Sequence, residues 1–317
     1  MSEDREALPL SLDFQLMSDA IHHECGIALL RLRKPLGHYL EKHGTALYGL
    51  NKMVLMMEKQ HNRGQDGAGL AGVKLDMAPG QRYISRYRSV EAKPMQDIFH
   101  RIQTRINTMV DGKPERLKDV KWVKENLAFA CEVYLGHLRY GTFGGNSIEA
   151  CHPFLRQSNW MSRNLIVAGN FNMTNVKELV DELVSLGQHP KERADTVTVM
   201  EKIGHFLDKE NERLHKEAKE VYGLTKPERS VYQMNNLQLP RVLSKAAAPW
   251  DGGYAMGGMV GQGDAFLLRD PNGIRPAYYY VDDEVAVVAS ERPVIQTAFG
   301  VAFEDVHEVP PGHMIWI

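Results

Sequence analysis

The sequence predicts an α+β protein in which antiparallel sheets are layered with helices. Strand-like runs fall beside one another in clusters, helical patterns are inserted in pairs, and no regular β-α-β alternation links them. There is no GxGxxG after a strand and no GxxxxGK(S/T), so the nucleotide-binding α/β folds have no support.

Residues 1–24 mix polar and isolated apolar positions without a period and read as a leader. Gly26 to Leu32 reads as a buried strand, ended by Lys34-Pro35, and Tyr39 to His43 as a polar connection. Leu47, Leu50, Val54 and Met57 recur close to helical spacing, predicting a helix that ends near Arg63-Gly64. Gly64, Gly67 and Gly69 mark a turn into a strand from Leu70 to Val73, followed by a loop from Lys74 to Gln81. Pro94 to Val110 predicts a helix with Met95, Ile98, Ile102 and Ile106 on one face and proline in its first turn.

The charged stretch from Lys113 to Lys124 reads as a solvated insertion, and Leu127 to Leu138 as a strand leading to a turn from Gly141 to Gly145. Leu165 to Ala168 is a short strand, broken by Gly169-Asn170-Phe171-Asn172. A helix begins near Thr174, with Val176, Leu179, Val180 and Leu183 inward and Gly187 at its C-terminal cap. A second runs from Thr196 to Leu207. Lys209 to Lys219 reads as a charged helix with little buried surface, or as part of an insertion over 205–250. Beyond it, β-rich runs follow at Tyr254–Val260, Ala265–Leu268, Ala277–Val281, Val285–Ala289 and His313–Ile317.

A chain of 317 residues with 43% hydrophobic and 25% charged residues is that of an ordinary globular protein. The 38 basic and 40 acidic residues leave a net charge of -2, which gives no footprint for nucleic acid. No apolar run approaches the ~18 residues of a membrane span. Glu3, Asp4, Glu6, Asp13 and Asp19 punctuate the first 24 residues, which therefore lack the apolar core of a secretory signal, and a cytoplasmic location is expected. Cys25, Cys131 and Cys151 are too few and too scattered for a disulfide framework, and no standard zinc spacing occurs, so no metal is expected.

Taken singly, the chemically interesting residues have ordinary explanations. Cys25 reads as a small buried hydrophobe, Arg139 as a surface ion-pair partner, Asn170 as a turn residue and Asp195 as a helix cap. Their order changes the reading. The chain runs through Cys25-Gly26-Ile27, then Gln60-His61-Asn62-Arg63-Gly64-Gln65-Asp66-Gly67-Ala68-Gly69, then Gly136-His137-Leu138-Arg139-Tyr140-Gly141-Thr142. Gly169-Asn170-Phe171-Asn172-Met173-Thr174-Asn175, Ala194-Asp195-Thr196 and Arg269-Asp270-Pro271-Asn272-Gly273-Ile274-Arg275-Pro276 follow. This series resembles the class II glutamine amidotransferase domain. The last segment, with Ala289-Ser290-Glu291 and Pro311-Gly312-His313, points to the phosphoribosylpyrophosphate amidotransferase branch of that class.

The resemblance implies a four-layer αββα sandwich of the N-terminal-nucleophile hydrolases, formed by residues 25–317 after removal of the leader. It implies glutamine hydrolysis by Cys25 as the first residue, with the chain's own α-amine as base. That amine titrates near ~7.7–8.0, where a useful fraction is neutral. Locked in the Glu24–Cys25 peptide bond it cannot act, so that bond must be cut.

By the same resemblance, Arg139 clamps the glutamine α-carboxylate, Asp195 pairs with its α-ammonium, and the Asn170 side chain and Phe171 N–H form the oxyanion hole. Arg63 and Thr142 belong to the substrate-binding set. Phe171 stands where glycine is common, Gly141 replaces a frequent proline, and Asp195 lacks its usual serine and glutamate neighbours.

Family members continue into a phosphoribosyltransferase half. The implied partners are therefore glutamine, that domain in cis or as a separate chain, and further copies in a homo-oligomer. No cofactor is implied for this domain; Mg and, in some members, an iron–sulfur cluster belong with the other half. Two alternatives stay open: a non-catalytic glutamine-binding or assembly domain of the same fold, and the glutaminase of another ammonia-dependent synthase.

Overall fold

The computed structural model describes residues 24–141, 147–190 and 194–317. The expected leader, apart from Glu24, and Thr142 lie outside the described residues. Twelve strands among the described residues form two antiparallel sheets. The first holds β1 (Gly26–Leu32), β2 (Gly67–Val73), β3 (Ile84–Ser89), β4 (Val133–Arg139), β9 (Tyr278–Val281), β10 (Val285–Ala289) and β11 (His307–Glu308). Its order is β11-β9-β10-β1-β4-β2-β3. The second holds β5 (Phe154–Arg156), β6 (Leu165–Met173), β7 (Gly252–Val260), β8 (Ala265–Arg269) and β12 (Met314–Trp316), in the order β12-β8-β7-β6-β5.

Strand periodicity explains the layering. In β1, Ala28, Leu30 and Leu32 face the helices α1 (Leu36–His43), α2 (Tyr48–Lys59), α3 (Pro94–Val110), α4 (Val120–Asn126) and α9 (Arg292–Phe299). Ile27 and Leu29 face the other way and meet Ile166, Ala168, Ala255 and Leu267 of the second sheet. The far side of that sheet packs on α5 (Val176–Ser185), α6 (Asp195–Glu220) and α8 (Leu239–Ala247) through Leu179, Ile203, Leu207 and Leu243. Both faces of the first sheet are covered at its centre, which is why β10 reads as an unbroken apolar run and β1 as one interrupted only by Arg31. The four-layer αββα sandwich is the observed fold.

Several local expectations are corrected. The polar connection at Tyr39–His43 belongs to α1, entered after Pro35 and closed by Gly44 in the left-handed region, with Leu36 and Tyr39 buried. Gly67 and Gly69 lie inside β2, not in a turn; a Cβ on Gly69 would lie 1.8 Å from the His152 carbonyl, so strand and loop approach too closely for a side chain. The charged stretch around 113–124 contains α4, capped by Asp119 and anchored by buried Val123. The Leu127–Leu138 strand begins only at Val133.

Gly169–Asn172 do not break their strand. β6 continues through them to Met173, paired with β7 as far as Met173↔Gly252. The two expected helices over 196–219 are one helix of 26 residues, α6, because Glu210, Asn211, Leu214 and Ala218 form a buried stripe within the charged sequence. α7 (Lys226–Asn236) covers that stripe, with Gln233 donating to the Asn211 carbonyl at 2.8 Å.

Candidate active site

The sheet ends bring the motif residues together. Gly26 pairs with Leu138, which sets Cys25 level with Arg139, the last residue of β4. Arg139 also pairs with Gly67 on β2. The Gln60–Gly69 segment closes this end from below. Gln60, fully buried, donates to the Ile27 carbonyl at 3.1 Å, and a Cβ on Gly64 would lie 2.5 Å from the Arg139 backbone. Only glycine lets the Arg63 turn lie against β4 this closely. Asp66 fixes the exit of β4: its N–H donates to the Arg139 carbonyl at 3.0 Å, and its carboxylate accepts from the Gly141 N–H at 2.8 Å.

A cavity of about 600 Å³ opens at this end, and Cys25, Arg139, Phe171 and Asp195 all line it. Tyr140, His137, His152 and Thr196 complete much of its wall. Its size suits a small polar molecule with room for solvent. The thiol of Cys25 accepts from the backbone N–H of Tyr140. Burial pushes that thiol up, against the lowering pull of the Tyr140 N–H, Arg139 and Arg63. A thiol held largely protonated needs a base to become a nucleophile.

Glu24 and Cys25 are joined, and the Glu24 carboxylate is held from three sides. Arg63 Nη2 donates to its Oε2 at 2.9 Å, the Asn170 side-chain amide to the same oxygen at 3.3 Å, and Arg275 to its Oε1. Arg63 also donates to the Cys25 carbonyl at 3.3 Å and to Glu291 at 3.2 Å. Arg63 thus grips the residues on both sides of the Glu24–Cys25 bond and does not line the cavity; its position is at the chain entry, beside Cys25.

Asn170 and Phe171 lie in β6, opposite Ala255 and Tyr254. The Phe171 ring folds over Gly169, where a Cβ would lie 2.5 Å from it. Asp195, the first residue of α6, accepts from the Met173 N–H at 3.2 Å. It is therefore tied to the strand that carries Asn170 and Phe171, and in addition faces the cavity.

Sequence reasoning missed four contributors. His137 and His152 are buried side chains of the cavity wall, with ring centroids 4.3 Å apart. Burial pushes His137 down to about 3 and His152 well below the usual range, so both rings are neutral. Arg275 and Glu291 meet the chain entry from the 270s loop and the start of α9. The signal available was composition: a histidine inside a strand and a charged residue inside each late motif. Among the described residues, no group of three or more His, Cys, Asp or Glu is placed to hold a metal ion. No helix among them is long and apolar enough to cross a membrane.

Cys25 at the head of β1, Arg139 at the end of β4 and Asp195 at the start of α6 share one cavity at the ends of two packed antiparallel sheets, and the four layers are those of the N-terminal-nucleophile hydrolase fold. The family model of the class-II glutamine amidotransferases matches residues 125–317, and the chain belongs to that family.

The relatives it resembles are amidophosphoribosyltransferases. That of Bacillus subtilis is 25% identical over 303 residues, covering 94% of this chain and 46% of the relative, and so extends across Cys25. That of Methanothermobacter thermautotrophicus is 26% identical over 202 residues, 64% of this chain and 34% of its own length. In structure the chain is similar to the glutamine phosphoribosylpyrophosphate amidotransferase of B. subtilis complexed with ADP and GMP. The TM-score is 0.54 at 20% identity, over 92% of this chain and 47% of that one. The chain spans less than half the length of these relatives.

Proposed function

We propose that this domain hydrolyses glutamine at Cys25 and supplies the ammonia to a phosphoribosyltransferase, for phosphoribosylamine synthesis in the purine route. The observation that carries the reading is the single cavity lined by Cys25, Arg139, Phe171 and Asp195, four residues far apart in sequence. Arg139 offers a planar fork to the α-carboxylate of glutamine, and Asp195 a counter-charge to its α-ammonium. Together they select the free amino acid over a glutamine within a peptide.

Once the Glu24–Cys25 bond is cut, the α-amine of Cys25 accepts the thiol proton, and the thiolate adds to the side-chain amide carbon. The tetrahedral oxyanion is met by the Asn170 amide and the Phe171 N–H, which act where charge develops. Collapse returns the proton to the departing nitrogen, releasing ammonia and leaving a thioester. Water then adds to the thioester, giving glutamate and restoring the thiol. No metal or other cofactor enters these steps; Mg and any iron–sulfur cluster would serve the transferase half, and the reaction would take place in the cytoplasm.

The test is glutamate release by protein beginning at Cys25. Activity abolished by Cys25→Ala supports the reading; no activity from the Cys25-initiated protein, with glutamine still bound by Cys25→Ala, sinks it. That second outcome is the alternative to which the departures at Phe171 and around Asp195 lean: a non-catalytic glutamine-binding domain of the same fold. The mass of the N-terminus adds a second check: only a chain beginning at Cys25 has the α-amine base, and one beginning at Met1 or Ser2 is either an unprocessed precursor or inactive. A different ammonia-dependent synthase would share every step up to release, and differ only in the acceptor.

A further inference from the structure

We infer that His152 is a positioning residue for glutamine hydrolysis, joining the strand of the oxyanion donors to the helix of the ammonium clamp. The inference rests on the glutaminase reading above and deepens it.

β5 pairs with β6 only from Arg156↔Leu165 to Phe154↔Val167, so past Val167 the outer edge of β6 has no strand beside it among the described residues. Backbone groups of an antiparallel strand point alternately to its two neighbours. Asn164 and Thr174 bond on the β7 side, to Gly261 at 3.1 Å and to Asp251 at 3.1 Å, so the odd-numbered residues point to the open edge. Three N–H groups follow there in series, from Gly169, Phe171 and Met173.

The outer two are anchored. The Gly169 N–H donates to His152 Nδ1 at 3.2 Å, and the Met173 N–H donates to Asp195 Oδ2 at 3.2 Å. The Phe171 N–H lies between them and points from the same edge, on a residue that lines the cavity. Its direction is therefore set by how its two neighbours are held.

His152 does more than accept one bond. Because Nδ1 accepts, the proton of the neutral ring is on Nε2, which lies 2.8 Å from Thr196 Oγ1. Thr196 follows Asp195 on the first turn of α6. One rigid ring thus spans from the backbone beside the oxyanion donors to the residue beside the ammonium clamp. His137 secures the Gly169 carbonyl, donating to it from Nε2 at 3.1 Å. A glutamine side chain could repeat the acceptor–donor pair of His152; a leucine could not.

The test uses protein beginning at Cys25, with kcat and KM for glutamine expressed per active site titrated by an electrophilic glutamine analogue that alkylates the thiol. His152→Leu should lower kcat by about 10²-fold, the scale of a misplacement near 1 Å. His152→Gln should recover most of that loss. Thr196→Val cuts only the link to the helix and should raise KM several-fold with kcat nearly unchanged. Unchanged kcat per titrated site in His152→Leu, or His152→Gln as slow as His152→Leu, overturns the inference. If His152→Leu fails to fold, His152→Gln and Thr196→Val decide: a Thr196→Val protein with wild-type kcat and KM overturns it. The glutaminase reading fails separately, in the unsubstituted protein, if that neither releases glutamate nor reacts with the analogue; the inference then falls with it.

Discussion

Glu24 and Asn170 are in contact: the carboxylate of Glu24 accepts from the Asn170 side-chain amide at 3.3 Å. On the glutaminase reading, the residue whose removal is proposed is thus bonded to the group proposed to receive the oxyanion. Leader removal would free both the Cys25 amine and the Asn170 amide. Protein with residues 1–24 attached should therefore bind glutamine at least tenfold more weakly than protein beginning at position 25. Cys25→Ala in both forms prevents turnover, and calorimetric titration measures the difference. Equal affinities would show that Glu24 does not obstruct the site.

How much of this was legible in the sequence differs by scale. Pro94–Val110 and Val285–Ala289 match their elements to the residue, because each has one clear period or one unbroken apolar run. α9 and β3 went unread. α9 is short, and its buried face is only Val294, Ile295 and Ala298. β3 is half polar, and its buried Ser85 and Ser89 are satisfied by the Ala128 carbonyl and by Asp97, partners no local pattern reveals. The cavity residues Cys25, Arg139, Phe171 and Asp195 were legible through the order of their motifs. His152 was not, because its meaning lies in the approach of residue 169 and residue 196 to one ring. Arg63 was read as substrate-binding, whereas the structure sets it against Glu24 and the Cys25 carbonyl.

The departure at Phe171 is matched by Gly169. A Cβ on Gly169 would lie 2.5 Å from the Phe171 ring and 3.0 Å from the Ala255 carbonyl. Gly169→Ala should cost about 1–3 kcal/mol of stability by overpacking. In a Phe171→Ala background the ring is gone, and the same change should cost distinctly less, with a coupling of about 1 kcal/mol. Denaturant unfolding of the four proteins measures the cycle. Additive effects would mean the ring moves aside freely.

Acid should destabilise the protein through its two buried imidazoles. Their folded-state affinities for protons are depressed by burial, His137 to about 3, whereas the unfolded chain titrates near 6.5. Below that unfolded value the unfolded state binds more protons, so stability falls as pH drops, until the folded rings titrate in turn. Each ring contributes about 1.4 kcal/mol per pH unit across the window. Urea unfolding between pH 7 and pH 5 should show the decline, and His152→Gln should make it shallower. The same slope in His152→Gln would mean that His152 is not a source of it.

The loop that presents Arg275 to Glu24 is built on a fully buried carboxylate, that of Asp270. Its Oδ1 accepts from the Asn272 and Ile274 N–H groups at 3.0 and 2.9 Å, and its Oδ2 from Arg275 and Tyr254 at 3.0 and 3.3 Å. The Arg269 guanidinium supplies the opposite half of the pattern, donating to the Gly273 and Arg275 carbonyls at 2.9 and 2.7 Å. The loop is therefore fixed by its own residues before Arg275 meets Glu24. Asp270→Ala leaves four backbone donors without an acceptor and should cost about 3 kcal/mol or more. Arg275→Ala removes only the guanidinium and should cost about 1 kcal/mol or less, since the backbone pattern survives. Equilibrium unfolding compares the two. If Arg275→Ala proves the more destabilising, the ion pair with Glu24 holds the loop and the carboxylate does not.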